Sequence, residues 1–189
     1  MTSHVERREQ PETPMPADNP LDAFSRTELL ELLDCFAKNM IALDGVWFQS
    51  LENTLGMDTA MEHDVKVWTM FAELEGRRIK AFLRLPDYPG LEGLQQALPL
   101  HFNAMANDID MQRPDANTLI FRTISCRVQA ARSRKNMPWH PCRPAGLAEY
   151  SSYAKAIDSR IACKAISCHP CITDPSCACA WRFTLPESP

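Results

Sequence analysis

Seven of the eight cysteines fall in the last third of the chain: Cys126, Cys142, Cys163, Cys168, Cys171, Cys177 and Cys179. Thiolate sulfur is a soft donor suited to zinc or an iron–sulfur cluster, and a tetrahedral site takes its ligands from several short loops. Cys126 is expected on a strand, Cys142 on a rigid proline loop, Cys168 and Cys171 in a turn, and Cys179 at the start of a final strand. Such positions converge once the strands pair. Three narrower patterns are incomplete. Cys168-His169-Pro170-Cys171 has the Cys-x-x-Cys spacing of dithiol oxidoreductases, but Ile172-Thr173-Asp174-Pro175 starts a helix poorly and no βαβ unit surrounds it. Cys163, Cys168 and Cys171 have plant-type ferredoxin spacing, yet Cys163 falls inside an expected strand. A zinc ribbon needs a second Cys-x-x-Cys pair that the chain lacks. Against these readings stands cysteine as a small core hydrophobe, the role assigned to Cys35 and Cys163. His140 and His169, beside cysteines, can join a site or cap loop carbonyls; His101 reads as a surface or satisfied core residue.

Two carboxylates offer a second chemistry. Glu52 lies near the end of the first helix. Asp64 sits one helical turn before Trp68 on the second, so those two share a face. If the helices fold back on each other, Glu52 and Asp64 meet near the turn, beside Trp47 and Trp68, where they could transfer protons or hold a cation. The plain alternative is solvated helix carboxylates and tryptophan core anchors.

The elements that must position these groups are legible in outline. Ser25-Arg26-Thr27-Glu28 is a capping box, followed by Leu29, Leu33, Phe36, Met40, Leu43 and Trp47 on one face of a helix reaching about Leu55. Gly56 stops it. Asp58 caps a second helix with Met61, Val65, Trp68, Ala72 and Ile79 as its buried stripe, ending before Pro86. A turn this short predicts an antiparallel hairpin. A loop at Pro86–Gly93 leads to a third helix over Leu94–Asp108, interrupted at Pro99, and Arg113–Asn117 is a turn. Alternation then predicts a strand from Thr118 to about Arg132. Three prolines keep Pro138–Pro144 irregular, a short helix covers Ala145–Ile157, and strands follow at Arg160–Ile166 and Cys179–Leu185.

Composition sets the limits. The net charge of −4 gives no general attraction for nucleic acid. Arg127, Arg132, Arg134, Lys135 and Arg143 form a local basic stretch without interleaved aromatics, so single-stranded nucleic acid is not expected. No apolar run spans a bilayer. Residues 1–20, rich in Pro, Glu and Arg, read as a disordered tail without a secretory signal. The expected compartment is therefore the cytoplasm, with reduced thiols. Residues 21–189 form one expected α+β domain, with a helical half at 21–112 and a Cys-rich sheet half at 113–186. In it a long helical hairpin and a third helix pack on a small antiparallel sheet.

A resemblance joins these pieces. Asp44-Gly45-Val46-Trp47-Phe48 with Glu52, then Gly56, Ala60, Asp64 and Val67-Trp68, resembles the front half of an uncharacterised bacterial cytosolic family. Cys126-Arg127-Val128-Gln129 through Arg132, Pro141-Cys142, Glu149-Tyr150, Ile157 to Ile161, Cys168, and Cys179 to Phe183 resemble its back half. That family is distantly similar to the L-2-amino-thiazoline-4-carboxylic acid hydrolases, which open a sulfur-containing ring. The resemblance singles out Cys126, Cys142, Cys168 and Cys179; Cys171 and Cys177 are extras. Arg182 stands where an acid is expected, and His169 where a proline is. The leading expectation is a cytosolic protein whose four cysteines hold zinc, with an iron–sulfur cluster second, either as a structural staple or beside a small-ligand pocket. The alternatives are a hydrolase of a small C–N or C–S substrate with a cysteine nucleophile, and an interaction module forming a homodimer through its helical hairpin. Glu52 and Asp64 are the expected proton carriers in a catalytic version.

Overall fold

The computed structural model describes residues 19–186, so the expected tail lies outside the described residues apart from Asn19 and Pro20. Contacts divide the chain at Leu33. In the first unit, a 3-10 turn at Pro20–Ala23 precedes the opening turns of helix α1 (Arg26–Leu55). The capping box forms as expected: the Glu28 amide donates to Ser25 Oγ at 3.3 Å, and the Ser25 amide to Glu28 Oε2 at 2.8 Å.

The second unit, from Asp34 onward, is α+β. After the rest of α1 come α2 (Met57–Phe82), α3 (Gly90–Ala97), a 3-10 turn (Leu98–Leu100), α4 (Phe102–Met105), β1 (Asp108–Asp115), β2 (Thr118–Ser125), α5 (Arg127–Arg134), α6 (Arg143–Ile157), β3 (Ala162–Ser167) and β4 (Cys179–Thr184). The strands are antiparallel in the order β1-β2-β4-β3. Leu119, Phe121 and Thr123 of β2 stand beside Phe183, Trp181 and Cys179 of β4. This apolar face is covered by Tyr150, Tyr153, Ala154 and Ile157 of α6. Helix α2 packs in turn on α6, giving a layer order of sheet, α6, α2. Two glycines allow this spacing. A Cβ at Gly76 would lie 2.8 Å from Ala156 Cβ, and one at Gly146 would lie 2.7 Å from the Trp181 ring.

Gly56, at φ +83°, joins α1 to α2 and serves as the N-cap of α2, so Asp58 sits within the first turn rather than capping it. Phe48 of α1 meets Ala60, Met61 and Trp68 of α2 near this turn. Several boundaries and faces differ from expectation. The apolar stripe on α1 is real, but Phe36, Leu43 and Trp47 on it are 59%, 64% and 63% exposed. The adjoining face, carrying Ala37, Ile41 and Phe48, is the one buried. Cys35, expected in the core, is exposed for the same reason. Pro99 breaks the third helix into α3, the 3-10 turn and α4. The residues after α4, read as helix end and turn, form the edge strand β1, whose Pro114 lies near the strand end where a missing donor is tolerated. Alternation ends at Ser125. Cys126 caps α5 in extended geometry, so Arg127–Arg134 is helix and not strand.

Candidate functional site

Antiparallel pairing carries three cysteines to one end of the sheet. Thr123, near the end of β2, pairs with Cys179 at the start of β4, and Ser167, ending β3, pairs with Ala180. Cys126 and Cys168 immediately follow β2 and β3. Cys142, the N-cap of α6, is drawn to the same place because the Arg143 amide donates to the His169 carbonyl at 3.0 Å. Cys126, Cys142, Cys168 and Cys179 therefore line one cavity of about 80 Å³, with Asp64, His140 and Glu149 also in its wall. Cys163, Cys171 and Cys177 do not line it. Among the described residues, no three His, Cys, Asp or Glu side chains are grouped closely enough to hold a metal ion as they stand.

The four thiols differ in character. Cys142 Sγ and Cys168 Sγ are 3.4 Å apart. The hydrogen bond between the two sulfurs, outweighing burial, lowers the Cys142 pKa; the His140 imidazole and a Gln129 amide contribute in the same sense. The same contact, with burial, drives Cys168 well up. Burial raises Cys126 and raises Cys179 to about 12. Gln129 organises this corner. Its Nε2 donates to the His140 carbonyl at 2.8 Å and lies 3.6 Å from Cys142 Sγ, while its Oε1 accepts from the His140 amide at 3.0 Å.

The two carboxylates singled out in the sequence part company. Asp64 is buried in the cavity wall with Oδ2 3.4 Å from His140 Nε2. Glu52 takes a bidentate pair from the buried Arg132, at 2.7 and 2.8 Å, which lowers its pKa. The hairpin does not bring Glu52 and Asp64 into one pocket, because Arg132 on α5 claims Glu52. His140 stacks edge-on to Phe48 at 4.5 Å, and its Nδ1 is buried without a hydrogen-bond partner. His169 instead stacks on Trp139 at 4.9 Å.

A second cavity, of about 260 Å³, adjoins the first at Asp44 and Trp68. Met40, Leu43, Trp47, Val67, Phe71 and Phe102 complete its walls, so among the described residues Asp44 is its sole ionisable lining residue. Trp68 stacks on Phe102 at 5.7 Å, and Phe71 meets Phe102 edge-on at 5.5 Å. Burial, reinforced by Asp64 and Glu149, pushes the Asp44 carboxyl up to about 7. Behind both cavities, His101 is fully buried between Glu75 at 2.5 Å and Glu149 at 2.7 Å, with Asn103 also donating to Glu149 at 2.9 Å.

Asp44, Gln129 and Glu149 are site residues to which the sequence reading gave no role. A signal for Asp44 was present: Ala37, Ile41, Asp44 and Phe48 recur at helical spacing, which puts a carboxylate within the buried face of α1. Nothing local distinguishes Gln129 or Glu149.

A family described as of unknown function, DUF6125, matches residues 22–185. No curated protein matches the chain. Among solved structures, the chain is similar to the phenol-responsive sensory domain of the transcription activator PoxR, solved with phenol. The identity is 17%, the TM-score is 0.53, and the match covers 76% of this chain and 73% of that one. At that identity the likeness concerns the fold. No helix among the described residues is long and apolar enough to cross a membrane.

Proposed function

This chain belongs to the DUF6125 family of unknown function, and we propose that it is a binding module for a small aromatic molecule carrying one hydrogen-bonding group. One observation carries the reading: a cavity of about 260 Å³ walled by Trp47, Trp68, Phe71 and Phe102, with the Asp44 carboxyl as the sole ionisable lining group among the described residues. Apolar walls with a few convergent polar groups are the usual form of a small-molecule site. The ring lies among the aromatic side chains, and its polar group meets Asp44. The phenol-bound sensory domain of similar fold supports the choice of phenol as the first probe.

Titration of phenol and substituted phenols into the full chain, read by tryptophan fluorescence and ligand-observed NMR, tests this. Saturable binding is expected, weakened roughly tenfold by Trp68→Ala, the loss of an aromatic contact worth about 1.4 kcal/mol. Because Asp44 titrates near 7, a phenol hydroxyl donates to a charged acceptor only above that pH, where the hydrogen bond is stronger. Affinity therefore rises between pH 6 and pH 8, and Asp44→Asn removes the rise. Absence of saturable binding by every phenol tested overturns the proposal.

A further inference from the structure

We infer that Cys142 and Cys168 form an oxidisable dithiol at the sheet end of the small cavity, in which Cys142 attacks a hydroperoxide and Cys168 resolves the product to a disulfide. The inference is independent of the phenol reading, since it concerns the adjoining cavity and its test counts thiols.

Geometry carries it. The two sulfur atoms lie 3.4 Å apart. A disulfide bond is about 2.05 Å long, so closure needs roughly an ångström and a third of combined side-chain movement. Both backbones are held in place. Cys168 exchanges two backbone hydrogen bonds with Cys171, at 3.1 and 2.7 Å, and the Cys142 carbonyl accepts from the Gly146 amide at 2.7 Å. Cys142 is the N-cap of a 15-residue helix with no side-chain cap of its own. Cys142 keeps partial exposure while Cys168 is buried, so Cys142 is the sulfur that a small oxidant reaches first. The Gln129 amide donates to it at 3.6 Å, which favours the thiolate. Both cysteines line the cavity, which offers a small oxidant its approach.

The chemistry balances. The Cys142 thiolate attacks the outer oxygen of the hydroperoxide. An S–O bond forms, the O–O bond breaks, and the departing alkoxide or hydroxide takes a proton to leave as alcohol or water. The Cys168 sulfur then attacks the Cys142 sulfur. The S–S bond forms, the S–O bond breaks, and hydroxide leaves with the Cys168 proton as water. Two thiols are oxidised by two electrons, and the peroxide is reduced.

The full chain, reduced and freed of oxygen, is treated with one equivalent of hydrogen peroxide, and its thiols are counted and mapped by peptide mass spectrometry. A Cys142–Cys168 disulfide is expected, formed at a rate roughly tenfold above that of free cysteine. In Cys168→Ser, a dimedone adduct accumulates on Cys142, whereas Cys142→Ser gives neither disulfide nor adduct. The wild-type map stands alone should either variant not fold. Oxidation first at the exposed Cys35 or Cys171 overturns the inference. So does stoichiometric zinc in the isolated protein that keeps Cys142 from reacting.

Discussion

At the scale of single residues, the buried polar groups carry the energetics. His101 has no exposed surface, and burial alone would strip it of its proton, yet hydrogen bonds to Glu149 and Glu75 hold its pKa up to about 9. An imidazolium between two carboxylates is worth little net of desolvation, but removing the central charge strands both acids. His101→Ala is therefore expected to destabilise the fold by about 3–5 kcal/mol in urea unfolding. The pH dependence has a definite sign. The folded state holds this proton more tightly than the unfolded chain, so the stabilisation is complete below pH 6.5 and fades as pH rises toward 9. Unfolding measured at pH 6 and at pH 9.5 should show the wild type losing stability across this interval, with the variant losing less. An equal loss in both chains would place the effect elsewhere.

At the scale of elements, close approach is set by small residues. Helices α2 and α6 meet where Gly76 faces Ala156 Cβ and the Tyr153 carbonyl, at 2.8 and 3.0 Å from where a Cβ would stand. Neither neighbour is a flexible side-chain tip, so Gly76→Ala pushes the helices apart. A destabilisation of about 1–3 kcal/mol is expected from overpacking, visible as a lowered Tm. An unchanged Tm would mean that the interface yields freely. Element identity was largely legible: the capping box at Ser25, the stop at Gly56, the break at Pro99 and the strand beginning at Cys179 all rest on local stereochemistry. What was not legible depends on partners. Periodicity found an apolar stripe on α1, but the face that is buried is set by what packs against it. Ile41 and Phe48 join the buried clusters, whereas Leu43 and Trp47 border an open cavity and stay largely exposed. Likewise Val128 and Ala130 continue the alternation of β2 on paper, but the chain turns into α5 after Cys126. Strand β1 escaped because its residues are mostly polar, and an edge strand exposed on one side needs little hydrophobic signal. The convergence of Cys142, Cys168 and Cys179 was legible from loops and a strand start, but Cys171, expected beside them, stays out of the cavity, and the inclusion of Cys126 without Cys171 came from the family resemblance. The separation of Glu52 from Asp64 was not legible, since it depends on Arg132 lying on a helix.

At the scale of the whole molecule, the least anchored helix borders both cavities, while the most anchored borders only the small one. Helix α6 buries seven of its 15 residues, including Tyr150, Tyr153 and Ile157. Helix α1 buries three of 30: Ala37, Ile41 and Phe48. Local opening follows buried contact, so amides between Phe36 and Phe48 should exchange with solvent well before those of α6 and β4. Met40, Leu43 and Trp47 on this lightly held helix form one wall of the larger cavity, and Val67, Trp68 and Phe71 on α2 form another. An aromatic ring between them covers apolar surface on both helices at about 25 cal/mol per Å², so binding must tie α1 down. Hydrogen–deuterium exchange with and without saturating phenol reads this directly. Protection over 36–48 is expected to rise by a factor approaching the occupancy ratio, about 100-fold at a concentration of 100 Kd, while α6 changes little below the global limit. Protection confined to α6 and the sheet, with α1 unaltered, would show that phenol enters the cysteine cavity instead and that the aromatic wall of α1 takes no part in binding.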